Sequence, residues 1–196
     1  MQQRIVYTVI GIIVIGLFGL AIYTFFRSQI TNRPAAVKPL TLVDYVTRDT
    51  AMVRYTVTGP TVANENHNSI TLAISKSQRR LQTFRTYADT LNLDQTFDNN
   101  QPAFEDFMRA LQNAGFAASK TRPGNPTEIG TCPTGQRYIY ELIDDEKIVL
   151  RTWSNSCGDN GTFNGSPSTI RALFQAQIPA YNKLTSSFSL SGAPSQ

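Results

Sequence analysis

One stretch of the chain suits only one environment. Ile5 to Phe26 reads IVYTVIGIIVIGLFGLAIYTFF, 22 residues without a charge. As a helix rising about 1.5 Å per residue it would be roughly 33 Å long, enough for a hydrocarbon core of about 30 Å. It is apolar all round, whereas a helix on a small soluble core keeps a polar face. Tyr7, Tyr23, Phe25 and Phe26 stand near its ends, where an aromatic belt belongs. The pattern predicts a transmembrane anchor over residues 1–27, in contact with the lipid bilayer through residues 5–26. A signal peptide has a shorter apolar region, about 7–15 residues, followed by a small-residue cleavage site. Gly19-Leu20-Ala21 offers such a site, but the apolar run continues past it, so the reading is an uncleaved, single-pass signal-anchor. Gly11, Gly16 and Gly19 lack the four-residue step of a GxxxG dimer motif.

Orientation is argued both ways by the residues. Arg27, Arg33 and Lys38 follow the span and only Arg4 precedes it, which by the positive-inside rule places the large domain in the cytoplasm. The domain is poor in Lys and rich in Asn, Thr and Ser. Its two cysteines are spaced to form a disulfide, which persists in oxidising compartments. The second argument is preferred, giving a cell-membrane protein with its C-terminal domain extracytoplasmic.

The pI near 9.2 belongs mostly to the anchor. Three of the 18 basic residues and none of the 14 acidic ones lie in residues 1–33, so the rest of the chain is nearly neutral. A nucleic-acid partner, which needs clustered positive charge on the folded domain, is therefore not expected. Arg79-Arg80 is the one basic doublet and reads as a solvated hairpin turn. Arg27, Arg33 and Lys38 read as contacts to lipid headgroups.

Beyond the anchor, Pro34 and Pro39 mark a linker over residues 28–40. A folded domain is expected over 41–184, followed by a Ser-rich, disordered tail over 185–196. Period-two alternation runs through Val53, Tyr55 and Val57, then Ile70, Leu72 and Ile74, then Leu81 to Tyr87, then Leu91, Leu93 and Phe97. Turns fall at Asn64–Asn68, Ser75–Arg79 and Ala88-Asp89, which predicts an antiparallel meander with one buried face. Asn100-Gln101-Pro102 opens a helix whose stripe is Phe104, Phe107, Met108, Leu111 and Ala114, stopped by Gly115. After a Pro, Gly, Asn and Thr loop (117–130), Tyr138–Ile143 and Ile148–Trp153 form a hairpin. A second helix begins at Ser166-Pro167, carries Ile170, Leu173 and Phe174, and ends at Pro179. Arg109-Ala110-Leu111 in the first helix recurs as Arg171-Ala172-Leu173 in the second, the kind of echo that duplication or chance equally produces. The fold class is α+β: a small domain of antiparallel sheet with two packed amphipathic helices.

Cys132 precedes the second-half hairpin and Cys157 follows it, so a hairpin folded at Asp144–Lys147 brings them together at its open end. A structural disulfide is expected. The rival readings are free thiols, a partial metal site or a redox pair, though the CxxC spacing of a redox pair is absent.

Catalytic patterns are sparse. A nucleophile–His–acid arrangement would have to use His67, the single histidine, which sits in the turn-like Asn64–Asn68 and reads as an exposed loop residue. Asp144, Asp145 and Glu146 read as a solvated turn rather than a carboxylate pair. No phosphate-binding, dinucleotide-binding, zinc-protease or calcium-loop pattern occurs, and no catalytic residue, cofactor or metal is assigned. The candidate partner-binding residues are Tyr138, Tyr140, Arg151, Trp153 and Phe163: an aromatic face with an arginine would suit a protein or glycan partner. Core packing is the competing reading for Trp153 and half of the tyrosines. Asn160-Gly161-Thr162 and Asn164-Gly165-Ser166 are glycosylation sequons, meaningful in a eukaryotic secretory pathway.

Tyr138-Ile139-Tyr140-Glu141-Leu142, Trp153-Ser154, Ser156-Cys157-Gly158 and Gln177-Ile178-Pro179 with Tyr181 give the second half a look that resembles uncharacterised single-pass proteins of small-genome bacteria. That resemblance implies a membrane-anchored domain and no known activity. The architecture also resembles type IV pilin-like proteins, with three departures: the early apolar run holds no acidic residue, no leader-peptidase site is evident, and Pro34 and Pro39 interrupt the helix that a pilin spine continues. The reading reached from the sequence is a membrane-anchored extracytoplasmic non-catalytic domain for partner binding or envelope assembly. A cell-surface hydrolase and a pilin-like subunit are the alternatives.

Overall fold

Alternation of apolar and polar residues builds the centre of the sheet. In β1 (Met52–Thr58) Val53, Tyr55 and Val57 are buried while the residues between them are not. In β2 (Asn68–Ser75) the buried apolar set is Ile70, Leu72 and Ile74, and Ser69 is buried as well. β3 (Gln78–Arg85), β4 (Thr90–Asp98), β5 (Arg137–Asp144) and β6 (Lys147–Asn155) complete a six-stranded sheet in the order β4-β3-β2-β1-β5-β6. Every neighbouring pair is antiparallel. The computed structural model describes residues 40–124, 127–158 and 161–190. The chain divides after Pro39, and the α+β domain belongs to the unit from Leu40 onward. The predicted anchor lies outside the described residues. Among those described, no helix is long and apolar enough to cross a membrane.

The first four strands follow one another as the predicted meander. The chain then crosses one face of the sheet through helix α1 (Gln101–Asn113) and inserts β5 on the far side of β1. α1 starts where its cap chemistry requires. The Asn100 side chain accepts from the Ala103 N–H at 3.0 Å, and Pro102 sits in the first turn, where its missing N–H costs nothing. It ends where Gly115 takes φ +78°, a left-handed conformation that a side chain would strain. Helix α2 (Pro167–Ala176) lies on the same face. Its Phe174 is fully buried, with ring centroids 5.4 Å from Tyr55, 5.2 Å from Phe107 and 6.0 Å from Phe116. The first helix follows a four-strand meander and the second follows a hairpin, so the repeated Arg-Ala-Leu triplets sit in unlike surroundings.

Three short elements escaped the sequence pattern: 3-10 turns at Leu42–Tyr45 and Asn64–Asn66, and helix α3 (Tyr181–Thr185). The tail expected from residue 185 also needs correction. Phe188 and Leu190 pack against the core, and the Asn68 side-chain amide donates to the Ser189 carbonyl at 2.6 Å. Two apolar side chains two residues apart outweigh the serine-rich composition around them, so the domain extends at least to Leu190.

The β5–β6 hairpin turns through Asp145 and Glu146, both left-handed at φ 51° and 61°, the conformation of a tight two-residue turn. Asp144 beside it is not merely solvated: Thr50 donates to its carboxylate at 2.7 Å and Arg48 at 2.6 Å, and these bonds, Thr50's foremost, hold the Asp144 carboxyl below the usual carboxylate range. At the open end of the hairpin, Cys132 and Cys157 form a disulfide with Cα atoms 5.6 Å apart, as their spacing predicted. It lies just past the last ladder contact, where the Ser156 N–H donates to the Gln136 carbonyl at 2.9 Å.

Candidate functional site

Helices cover one face of the sheet. The residues that alternate with the core form the other, and there they line a groove of about 560 Å³. β1 contributes Met52, Arg54, Thr56 and Thr58, β2 contributes Ser69, Thr71 and Ala73, β3 contributes Arg80, Gln82 and Phe84, and β5 contributes Ile139 and Glu141. Register explains why they meet: Arg54 lies between Ala73 and Glu141, and Thr56 between Thr71 and Ile139, on adjacent strands. His67 and Asp89 line the end where β1 gives way to β2.

Two charge systems fix the walls. Arg54 Nε donates to Glu141 at 2.7 Å, and Arg151 Nε lies 3.3 Å from the other Glu141 oxygen. Arg151 also forks onto Glu128 with contacts of 3.0 and 2.5 Å. The alternating row Arg54–Glu141–Arg151–Glu128 thus runs from β1 across β5 and β6 to the loop beyond. Burial is the largest single influence on the Glu128 carboxyl and pushes it up, but the Arg151 hydrogen bonds, a backbone hydrogen bond and the charges of Arg151 and Arg137 together outweigh it and the net shift is downward. On the opposite wall Arg80 Nε donates to Asp94 at 2.8 Å, a second Arg80 N–H bonds the other oxygen, and Gln82 Nε2 reaches Asp94 at 3.3 Å. The Arg80 bonds hold the Asp94 carboxyl below its ordinary value.

His67 is not the exposed loop residue that its neighbours implied. It is 4% exposed and stacks on Tyr87 with centroids 3.8 Å apart. Burial lowers its pKa and the nearby Arg137 adds to that, against a hydrogen bond to the Pro60 backbone. Its Nδ1 has no hydrogen-bond partner among the described residues. The imidazole is therefore neutral near pH 7 and wedged between strand end and turn. The Arg79-Arg80 doublet lies within β3 rather than in a turn: Arg79 donates twice to the Asp98 carbonyl, at 3.0 and 2.7 Å.

The five residues expected to form an aromatic partner-binding face do not share one. Tyr140 and Phe163 are fully buried, stacked at 4.1 Å on the helix side of the sheet, and Tyr140 Oη meets Ser154 Oγ at 2.9 Å. Tyr138 is half-buried on that same side, 6.4 Å from the Tyr55 ring. Trp153 and Arg151 are on the groove side, as their spacing required, but Trp153 is only 1% exposed. The Arg122 guanidinium sits 5.1 Å from the centre of its ring, and Gly161 passes so close that an added Cβ would lie 2.4 Å from ring carbon Cε3. The correction has a plain cause: pairing puts the tyrosines inward, and the loops before and after the hairpin roof the tryptophan. Arg151 alone of the five joins the charge row beside the groove.

The groove residues carried a weak signal in the sequence. They are the polar half of the alternation, which reads as solvated surface until strand order shows that four strands present theirs together. Among the described residues no three His, Cys, Asp or Glu side chains gather as a metal site. No family model and no curated protein matches the chain.

Proposed function

We propose that this chain is a membrane-anchored extracytoplasmic domain that binds a partner, protein or glycan, in the groove on the sheet face away from the helices, without catalysis. The groove carries the reading: it is a concave, side-chain-lined surface whose walls are held by bidentate, partly exposed ion pairs before any ligand arrives. The disulfide supports an oxidising compartment, and the uncharged Ile5–Phe26 run supports the anchor. Two measurements test it. The full-length protein should stay in the membrane through carbonate extraction, and Ser168→Cys should react with an impermeant maleimide on intact cells. A photo-crosslinking residue at Gln82 should capture a partner that the same residue at Arg171, on the helix side, does not. Extraction by carbonate, or equal capture from both positions, would defeat the proposal.

A surface hydrolase is the second reading, favoured by one observation: the groove gathers His67, Asp89 and Glu141. It requires hydrolysis of a wall polymer by the full chain that His67→Ala abolishes without lowering the thermal midpoint by more than a few degrees. Turnover unchanged by that substitution would remove it.

A further inference from the structure

We infer that the groove takes a neutral, hydroxyl-rich ligand, a short oligosaccharide. This rests on the reading of the groove as the binding site and adds its ligand class.

Charge balance decides against ionic ligands. Four charged residues line the groove, Arg54, Arg80, Glu141 and Asp89, and their charges cancel. Arg54 is paired with Glu141 and Arg80 with Asp94, so a phosphate or an acidic peptide would find no unmatched positive charge, although N–H donors remain. A polyanion needs unmatched cations to release its counterions, and a cationic ligand would meet Arg54 beside Glu141.

Backbone accounting decides against a strand-forming peptide. The groove lies over β3, β2, β1 and β5, all interior to the sheet, where both flanks of each strand are already paired. Peptides that add a strand need an open edge. Any ligand here must be read by side chains.

The side chains present are those that read hydroxyls. Thr56 and Thr71 bond each other at 3.2 Å, which leaves one hydroxyl proton and their remaining lone pairs for a ligand. Gln82, with one N–H on Asp94, keeps its amide oxygen and a second N–H. Ser69 lines the same groove but is only 6% exposed. A guanidinium has five N–H donors and a carboxylate about four acceptor positions, so the Arg54–Glu141 pair keeps capacity for neighbouring sugar hydroxyls after bonding itself. Glu141 is only 5% exposed and each of its oxygens meets an arginine, so Arg54, with its side chain 35% exposed, is the member of the pair that a ligand reaches. Phe84 on β3 and Ile139 on β5 stand on opposite sides of the groove, each a separate apolar contact for the C–H face of a sugar ring. The volume, about 560 Å³, falls within the range of small-ligand pockets, about 300–1,000 Å³.

The test is calorimetric titration of the full chain, held in a detergent without a sugar headgroup. The probes are chitotetraose, cellotetraose, maltotetraose and tetragalacturonate. At least one neutral tetrasaccharide should bind, with an affinity that changes less than about twofold when salt is raised from about 50 to 500 mM. The double variant Thr71→Val, Gln82→Leu should weaken it at least about tenfold. A matched unfolding midpoint would show that this variant still folds, and Ser69→Ala serves as a milder second variant. If only tetragalacturonate binds, or binding falls steeply with salt, the neutral-ligand inference is overturned. If no sugar binds while the Gln82 crosslinker still captures a protein, the inference falls but the groove reading stands. If a sugar binds equally well to the double variant, the groove reading falls with it.

Discussion

Arg54 and Glu141 face each other directly across the β1–β5 ladder and are joined by a 2.7 Å bond from Arg54 Nε. The carboxylate is nearly buried, its side chain 7% exposed, while the arginine stem is 35% exposed. The pair therefore acts less as a surface ion pair than as a means of keeping a buried charge satisfied, with Arg151 as second partner.

Removing one member should be costly in proportion to what it strands. Arg54→Met leaves Glu141 buried with Arg151 alone, and the expected loss is about 1–3 kcal/mol, tempered by solvent access to Arg54. The double variant Arg54→Met, Glu141→Leu should recover part of that loss, because apolar neighbours replace the pair. Urea unfolding midpoints of the singles and the double check this. Strict additivity would show that the two residues do not act together.

The disulfide closes a loop with a sequence separation of 25 residues. Cys132→Ser with Cys157→Ser should destabilise the domain by about 3 kcal/mol, mainly by releasing the unfolded chain. Denaturant unfolding with and without reductant should reproduce the shift in the wild-type protein and leave the double variant unmoved. A reductant effect that persisted in the double variant would contradict the assignment.

Trp153 is the protein's only tryptophan, so its fluorescence reports its roof directly. Gly161 combines φ +56° with an approach in which a Cβ would lie 2.3 Å from the Trp153 carbonyl oxygen. Gly161→Ala should cost about 1–3 kcal/mol and shift the emission to the red as the roof lifts. An unshifted spectrum at unchanged stability would show that the loop does not seat on the ring.

Titration should narrow the range of stability from both sides. His67 resists a proton in the fold that it accepts near pH 6.5 when unfolded, so its contribution is present above about pH 6.5 and is lost as pH falls toward its lowered folded value. Asp94 and Glu128, held below their ordinary 3.8 and 4.5, contribute in the same direction further down. Tyr140 works oppositely: burial pushes it up to about 12, so stability present below 10.0 is lost as pH rises from there. Urea midpoints measured between about pH 4 and 11 should form a plateau near neutrality, and His67→Gln should flatten its upper acid shoulder. A midpoint independent of pH from about 7 down to 5 would rule out the buried, neutral imidazole.

Much of the fold was legible without coordinates, for local reasons. Alternation in β1 and β2, the Asn100 cap with Pro102, the Gly115 stop and the placement of two cysteines around one hairpin are each written in a few neighbouring residues, so local physics sufficed. At the edge the same alternation misled, because β4 buries no residue and Leu91 is 51% exposed. Tertiary structure alone decided what non-neighbours do to one another. Tyr140 and Trp153 read alike as aromatic strand residues. Strand pairing sent one under Phe163 and the other beneath Arg122 on the opposite face. His67 looked exposed because its neighbours are polar, and it became buried because Tyr87, twenty residues on, closes over it. The groove followed the same logic. Its residues are ordinary polar alternates within each strand, and they form one surface only because β5 returns beside β1, a long-range pairing that no short window of sequence encodes.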